Sequence, residues 1–186
     1  LNKRYNDQIR VAYSKTEIVK NVNYIEHKII KECLKKYSIV NGVELTTVAD
    51  IPSSGSGLAS SSALTVGLIN LIRKYKKLKI SKEILAKDAC DIEINSCKKP
   101  IGMQDQYSTS YGGLNKIEFY KNEVKVKRIP VNEKKLNNFK KSLILFYTGI
   151  NRKADKILIN IKKSGKQFKN FDKLSNLAKQ FEKELI

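Results

Sequence analysis

Apolar residues fall along this chain in two rhythms. Between Gln8 and Ser14, Ile9, Val11 and Tyr13 alternate with polar neighbours, which predicts a half-buried strand. From Val22 the period lengthens: Val22, Ile25, Ile29, Cys33 and Tyr37 recur along one helical face, and Asn41-Gly42 breaks the pattern before a second strand, Val43 to Ala49. Leu64, Val66, Leu68, Leu71, Ile72 and Tyr75 predict an apolar helix. Ile84, Leu85, Ala89 and Ile92 predict another, opened by Ser81 as N-cap and closed before Lys98-Lys99-Pro100. Leu114 to Phe119 and Val124 to Ile129 read as a strand pair around Lys121-Asn122. Beyond the short apolar run Leu143 to Tyr147, Asn151 to Lys162 and Phe171 to Leu185 predict further helices.

Composition narrows the class. With 186 residues, 41% of them apolar, the chain can bury one substantial core, or one and part of a second. No apolar run nears the roughly 20 residues of a membrane-spanning helix, and no charged-then-apolar leader opens the chain, so no membrane partner and a cytoplasmic location are expected. The formal charge of +19 would attract any polyanion. Its carriers, however, are mostly lysines scattered from Lys3 to Lys183, and arginine, the better reader of bases and phosphates, is scarce. A dedicated nucleic-acid function is therefore not expected, although a basic RNA-binding module stands as the alternative from another class. Cys33, Cys90 and Cys97 are odd in number, form no CxxC, and have only His27 as an imidazole partner, which argues against a disulfide framework or a zinc site. All three read as ordinary buried thiols, and His27 as an ordinary histidine.

The texture changes at residues 52 to 63: Pro52, Ser53, Ser54, Gly55, Ser56, Gly57, Leu58, Ala59, Ser60, Ser61, Ser62, Ala63. A flexible linker has this composition, but a linker has little reason to lie between a strand and a buried helix. An anion-binding turn needs that placement, because a helix N-terminus presents backbone amides and small residues let a phosphate approach them. No GK[ST] follows the glycines, and no protein-kinase HRD or DFG set is present. Among the acids on the following helix, Asp88 and Asp91 read as a solvated face. Glu93 precedes Ile101-Gly102-Met103-Gln104-Asp105-Gln106-Tyr107, which puts Asp105 on a loop, with Tyr111-Gly112-Gly113 further on.

Together these segments resemble the GHMP superfamily of small-molecule kinases. Pro52 to Ala63 is similar to its central glycine/serine-rich motif, and Glu93 followed twelve positions later by Asp105 matches the metal-binding Glu and catalytic Asp of the galactokinase branch. Three further stretches resemble the bacterial D-glycero-D-manno-heptose 7-phosphate kinases: Ile9-Arg10-Val11 through Thr16-Glu17; Ile101 to Tyr107 with Tyr111-Gly112-Gly113-Leu114-Asn115; and Leu145-Phe146-Tyr147-Thr148-Gly149. The resemblance implies an α+β fold: a ribosomal protein S5 domain 2-like N-terminal domain, residues 1–135, followed by the start of a ferredoxin-like C-terminal domain, residues 136–186. It implies ATP and Mg²⁺, with Pro52 and Gly55 to Ser62 around the nucleotide phosphates, and Ser61 and Glu93 as metal ligands. It also implies Asp105 beside the hydroxyl under attack, and Gln104, Tyr107 and Arg152 near a sugar phosphate. Met103 stands where this subgroup implies a basic residue.

A free Asp, with a pKa of about 3.9, is a weak base for an alcohol, so Asp105 is expected to orient the hydroxyl and accept its proton late. The implied reaction carries the ATP γ-phosphate to the anomeric hydroxyl of D-glycero-D-manno-heptose 7-phosphate. Family members also have a first strand with a substrate motif and a late glycine-rich motif that this chain does not show, so it is expected to be part of a kinase or a non-catalytic remnant.

Overall fold

A computed structural model describes residues 1–49, 57–146 and 168–186. The chain divides into two compact units, Leu1–Tyr111 and Gly112–Ile186.

The first unit opens with four short strands: β1 (Asn2–Lys3), β2 (Ile9–Ala12), β3 (Thr16–Val19) and β4 (Val43–Thr46). Their order in the sheet is β1-β4-β2-β3. The hairpin pairs Ile9 with Val19 and Ala12 with Thr16, whereas β2 runs parallel to β4 with Val11 opposite Leu45. A parallel pair needs a crossover, and helix α1 (Lys28–Lys36) supplies it, burying Ile29, Ile30, Cys33 and Leu34. Helices α2 (Ser60–Tyr75), α3 (Lys82–Cys90) and α4 (Gln104–Tyr111) pack on one another. Ile30, Leu34, Leu45, Ile69 and Ile72 are fully buried in the shared core, each contributing about 1.5–3 kcal/mol.

The strands at 9–12 and 43–46, the helix after Leu64 and the Ser81 cap agree with expectation; Ser81 Oγ accepts from the Ile84 N–H at 3.2 Å. Other expectations need correction. The helix expected from Val22 to Tyr37 is broken into a 3₁₀ turn, Val22–Tyr24, and α1. The break follows from the buried Glu17, whose carboxylate takes the Glu26 and His27 N–H groups at 2.7 and 3.3 Å and holds that backbone outside the helix. Strand β3 was not foreseen because its pattern is inverted: Glu17 points in and Ile18 points out.

Asp88 and Asp91 are not simply solvated. Asp88 accepts from Tyr37 Oη at 2.6 Å and from Arg73 at 3.2 Å, and Lys36 joins both acids. Burial, then the bond to Asp88, pushes the Tyr37 phenol up. The three cysteines are free and buried as expected, and burial raises the Cys90 thiol to about 11.

The second unit begins with a hairpin, β5 (Asn115–Phe119) and β6 (Val124–Arg128), which pairs Ile117 with Val126. Helix α5 (Glu133–Lys141) follows, capped by Asn132, whose Oδ1 accepts from the Lys135 N–H at 2.8 Å. Helix α6 spans Phe168–Leu185, and within this unit Phe139 meets Phe181 with ring centres 5.6 Å apart. Leu143 to Phe146 form no regular element and are exposed; Tyr147 and the helix expected at Asn151 to Lys162 lie outside the described residues.

Candidate functional site

The N-terminus of α2 is built without a side-chain cap. Its N-cap residue, Ala59, is left-handed (φ 55°, ψ 25°), and two residues earlier Gly57 has φ 71°. A left-handed alanine costs roughly 1–2 kcal/mol relative to the ordinary helical region, and such strain collects at ligand-binding turns. The first intrahelical bond runs from the Ala63 N–H to the Ala59 carbonyl at 2.9 Å, so the amides of the first turn precede the helical ladder. Small residues and a helix dipole make this end suited to an anion.

Glu93 reaches the same helix end from another element. The helix after Ser81 does not finish as an α-helix; it widens into a π turn, Asp91–Ser96. The Cys97 N–H bonds the Ile92 carbonyl at 2.8 Å and the Lys99 N–H the Glu93 carbonyl at 3.0 Å. The widened turn leaves Glu93 fully buried, and π turns of this kind are frequent at functional sites. Ser61 Oγ donates to Glu93 Oε2 at 3.1 Å, so the two expected metal ligands meet. Lys99 Nζ, 3.0 Å away, donates to the same oxygen. Among the described residues, Glu93 Oε1 is buried with no hydrogen-bond partner.

Asp105 departs from its expected loop: it lies in the first turn of α4, exposed. A carboxylate is stabilised there by the helix dipole. What fixes this turn is Gln106, fully buried. With its amide oriented to satisfy its neighbours, Gln106 donates to the Gly102 and Met103 carbonyls and accepts from Ser62 Oγ, each at 3.2 Å. Ser62 is itself buried, so its hydroxyl serves this link while Ser61 serves Glu93. The residue beside the expected base is thus tied to the residue beside an expected metal ligand.

The remaining candidates scatter. Gln104 is exposed, as are Gly57 and Leu58, and Ser60 is half-buried in the first turn of α2. Tyr107 is 4% exposed and stacks nearly parallel on Tyr111 with ring centres 6.2 Å apart, so its ring packs α4 instead of forming an open wall. Pro52, Gly55, Ser56 and Arg152 lie outside the described residues. Lys99 and Gln106 were missed as site residues. Neither has a sequence signal: one lysine among many and one glutamine beside an aspartate are ordinary until the chain folds. An open cleft of about 520 Å³, lined in part by Lys3, Arg4, Tyr5, Tyr75 and Lys76, lies by the other end of α2 and includes none of these residues.

Residues 23–113 match the family of GHMP kinases N-terminal domains. Over 138 residues, 72% of this chain, the sequence is 36% identical to D-glycero-alpha-D-manno-heptose 7-phosphate kinase of Campylobacter jejuni, of which it spans 38%. Two crystal structures are similar in fold. A D-glycero-D-manno-heptose 1-phosphate kinase from Bacteriodes thetaiotaomicron superposes with a TM-score of 0.66 at 23% identity, covering 73% of this chain and 48% of that one. A candidate sugar kinase from Campylobacter jejuni superposes with a TM-score of 0.63 at 28% identity, covering 73% of this chain and 47% of that one. The chain therefore spans less than half the length of each of these relatives.

Proposed function

Since residues 23–113 belong to the GHMP kinase N-terminal domain family, we propose that this chain is the ATP-binding part of a sugar kinase. Its reaction is transfer of the ATP γ-phosphate to the anomeric hydroxyl of D-glycero-D-manno-heptose 7-phosphate, in the cytoplasm. The relative that is 36% identical is named for that sugar, which supports the choice of substrate. In this reading residues 1–135 are the N-terminal domain and 136–186 the start of the C-terminal one.

One observation carries the proposal. Glu93 is fully buried, hydrogen-bonded to Ser61 at the strained N-terminus of α2, and has one oxygen without a partner among the described residues. A buried carboxylate oxygen without a donor is costly unless something cationic completes it. A carboxylate and a hydroxyl are hard oxygen donors and suit Mg²⁺, which takes few protein ligands and fills its octahedron with water and phosphate oxygens. Ser61 and Glu93 would hold it. When bound, it supplies charge neutralisation across the phosphates.

The chain's own groups do the rest. The first-turn amides of α2 face the phosphate end of the nucleotide, and the glycines, serines and alanine between Gly55 and Ser62 allow close approach. Asp105 orients the attacking hydroxyl and takes its proton late, in a loose transition state where positioning dominates. Gln106 keeps Asp105 in register with α2 through Ser62. Gln104 and Arg152 are the candidates for contact with the sugar phosphate, Arg152 because a guanidinium binds phosphate bidentately.

Calorimetric titration with ADP and Mg²⁺ tests the binding half: Ser61→Ala and Glu93→Ala should each weaken binding, and wild-type affinity in both variants would sink the assignment. In an active form, Asp105→Asn should lower kcat by about 10²–10⁴-fold with nucleotide affinity retained.

A further inference from the structure

The unpartnered Glu93 oxygen belongs to a carboxylate whose other oxygen already carries a cation. Lys99 Nζ lies 3.0 Å from Oε2, the oxygen that Ser61 Oγ also reaches at 3.1 Å. The position is built. Lys98 adopts φ 56°, and the Lys99 N–H closes on the Glu93 carbonyl at 3.0 Å, so the chain doubles back and returns the lysine to the glutamate six positions before it. Glu93 has no exposure, whereas the Lys99 side chain keeps 23% of its own. The carboxylate is enclosed, whereas the lysine side chain is partly open to solvent.

Resting on the metal-site reading above, we propose that Lys99 is a resident competitor for the metal: its ammonium holds the Glu93 carboxylate in the metal-free chain and withdraws toward solvent when a divalent cation binds with nucleotide. The physical reason is charge. An ammonium and a divalent ion on one buried carboxylate would repel each other at a few ångströms in a poorly screened environment. The carboxylate therefore exchanges one cation for another. Without nucleotide phosphates to complete its shell, the metal has, among the described residues, one carboxylate and one hydroxyl here, and the lysine keeps its place. The exchange links metal occupancy to nucleotide arrival, making Lys99 a positioning and gating residue, not a catalytic one.

The two possible roles of Lys99, competitor or clamp, predict opposite signs. Free Mn²⁺ is counted by electron paramagnetic resonance while Mn²⁺ is titrated into the chain with saturating ADP, for wild type, Lys99→Met and Glu93→Ala. In Lys99→Met the half-saturating Mn²⁺ concentration should fall by about tenfold or more, since close buried charge pairs couple by at least one such factor. The metal-free variant should also melt below wild type and recover with Mn²⁺ and ADP. An unchanged or raised half-saturation in Lys99→Met, with Mn²⁺ uptake by wild type that Glu93→Ala abolishes, overturns the competitor role and leaves the metal site standing. If wild type takes up no more Mn²⁺ than ADP does alone, the metal site falls and the competitor with it. Should Lys99→Met fail to fold, Lys99→Gln, which keeps a donor to Glu93 without the charge, gives the same reading on the same terms.

Discussion

Two buried glutamates in the first unit show how one residue type can serve two ends. Glu17 has its oxygens occupied: Tyr13 Oη donates at 2.9 Å, and the Glu26 and His27 N–H groups at 2.7 and 3.3 Å. Among the described residues, Glu93 has two donors on one oxygen and none on the other. The first pattern closes a fold; the second leaves a place for a ligand. At Glu17, burial works to raise the carboxyl, but the bonds from Glu26, Tyr13 and His27 outweigh it and hold the group below its ordinary 4.5. A depressed folded value stabilises the protein above the unfolded value and ceases to do so as pH falls through the folded one. Glu17→Ala should therefore cost about 1–3 kcal/mol at neutral pH through the stranded amides. In urea unfolding followed from pH 7 downward, the part of that gap due to charge should shrink below pH 4.5. A gap independent of pH would show that the carboxylate charge contributes nothing.

The elements that matter are helix ends. Ser81 was legible as a cap because its hydroxyl can do one local thing, accept a bond from the backbone three residues on, and no distant partner is needed. Ser81→Ala should lower stability by about 1 kcal/mol, read from the urea midpoint with an unchanged slope. The end of that same helix was not legible. The six residues after Cys90 widen into a π turn that carries Glu93, and Glu93 meets Ser61 on another helix, a contact no local pattern records. The N-terminus of α4 has the same character: residues 101 to 107 contain a glycine and polar side chains and read as loop. From Gln104 they fold into a helical turn, where the buried Gln106 meets Ser62 and the Gly102 and Met103 carbonyls.

At the scale of the molecule the largest number is the charge of +19, and it is the least informative about function. Many of its carriers are exposed lysines on several elements, and others are spent in pairs such as Lys36 with Asp88 and Asp91, Arg73 with Asp88, and Lys99 with Glu93. Any affinity for a generic RNA should therefore fall steeply between about 50 and 200 mM salt and be unaltered by Asp105→Asn. Salt-resistant RNA binding in a filter or gel-shift assay would revive the RNA-binding alternative. Among the described residues no helix is long and apolar enough to cross a membrane.

The sequence by itself determined the strands at Ile9 and Val43, the apolar helix from Leu64, the helix after Ser81 and the buried thiols, since periodicity and caps are local properties. The resemblance to GHMP kinases, and not any local pattern, singled out Ser61, Glu93 and Asp105. Only the tertiary structure decided that Ser61 and Glu93 touch, that Lys99 shares their carboxylate, that Gln106 ties Asp105 to α2, and that Tyr107 is packed away. Those are contacts between side chains on different elements, where a hydrogen bond at 3 Å depends on packing that no local pattern records.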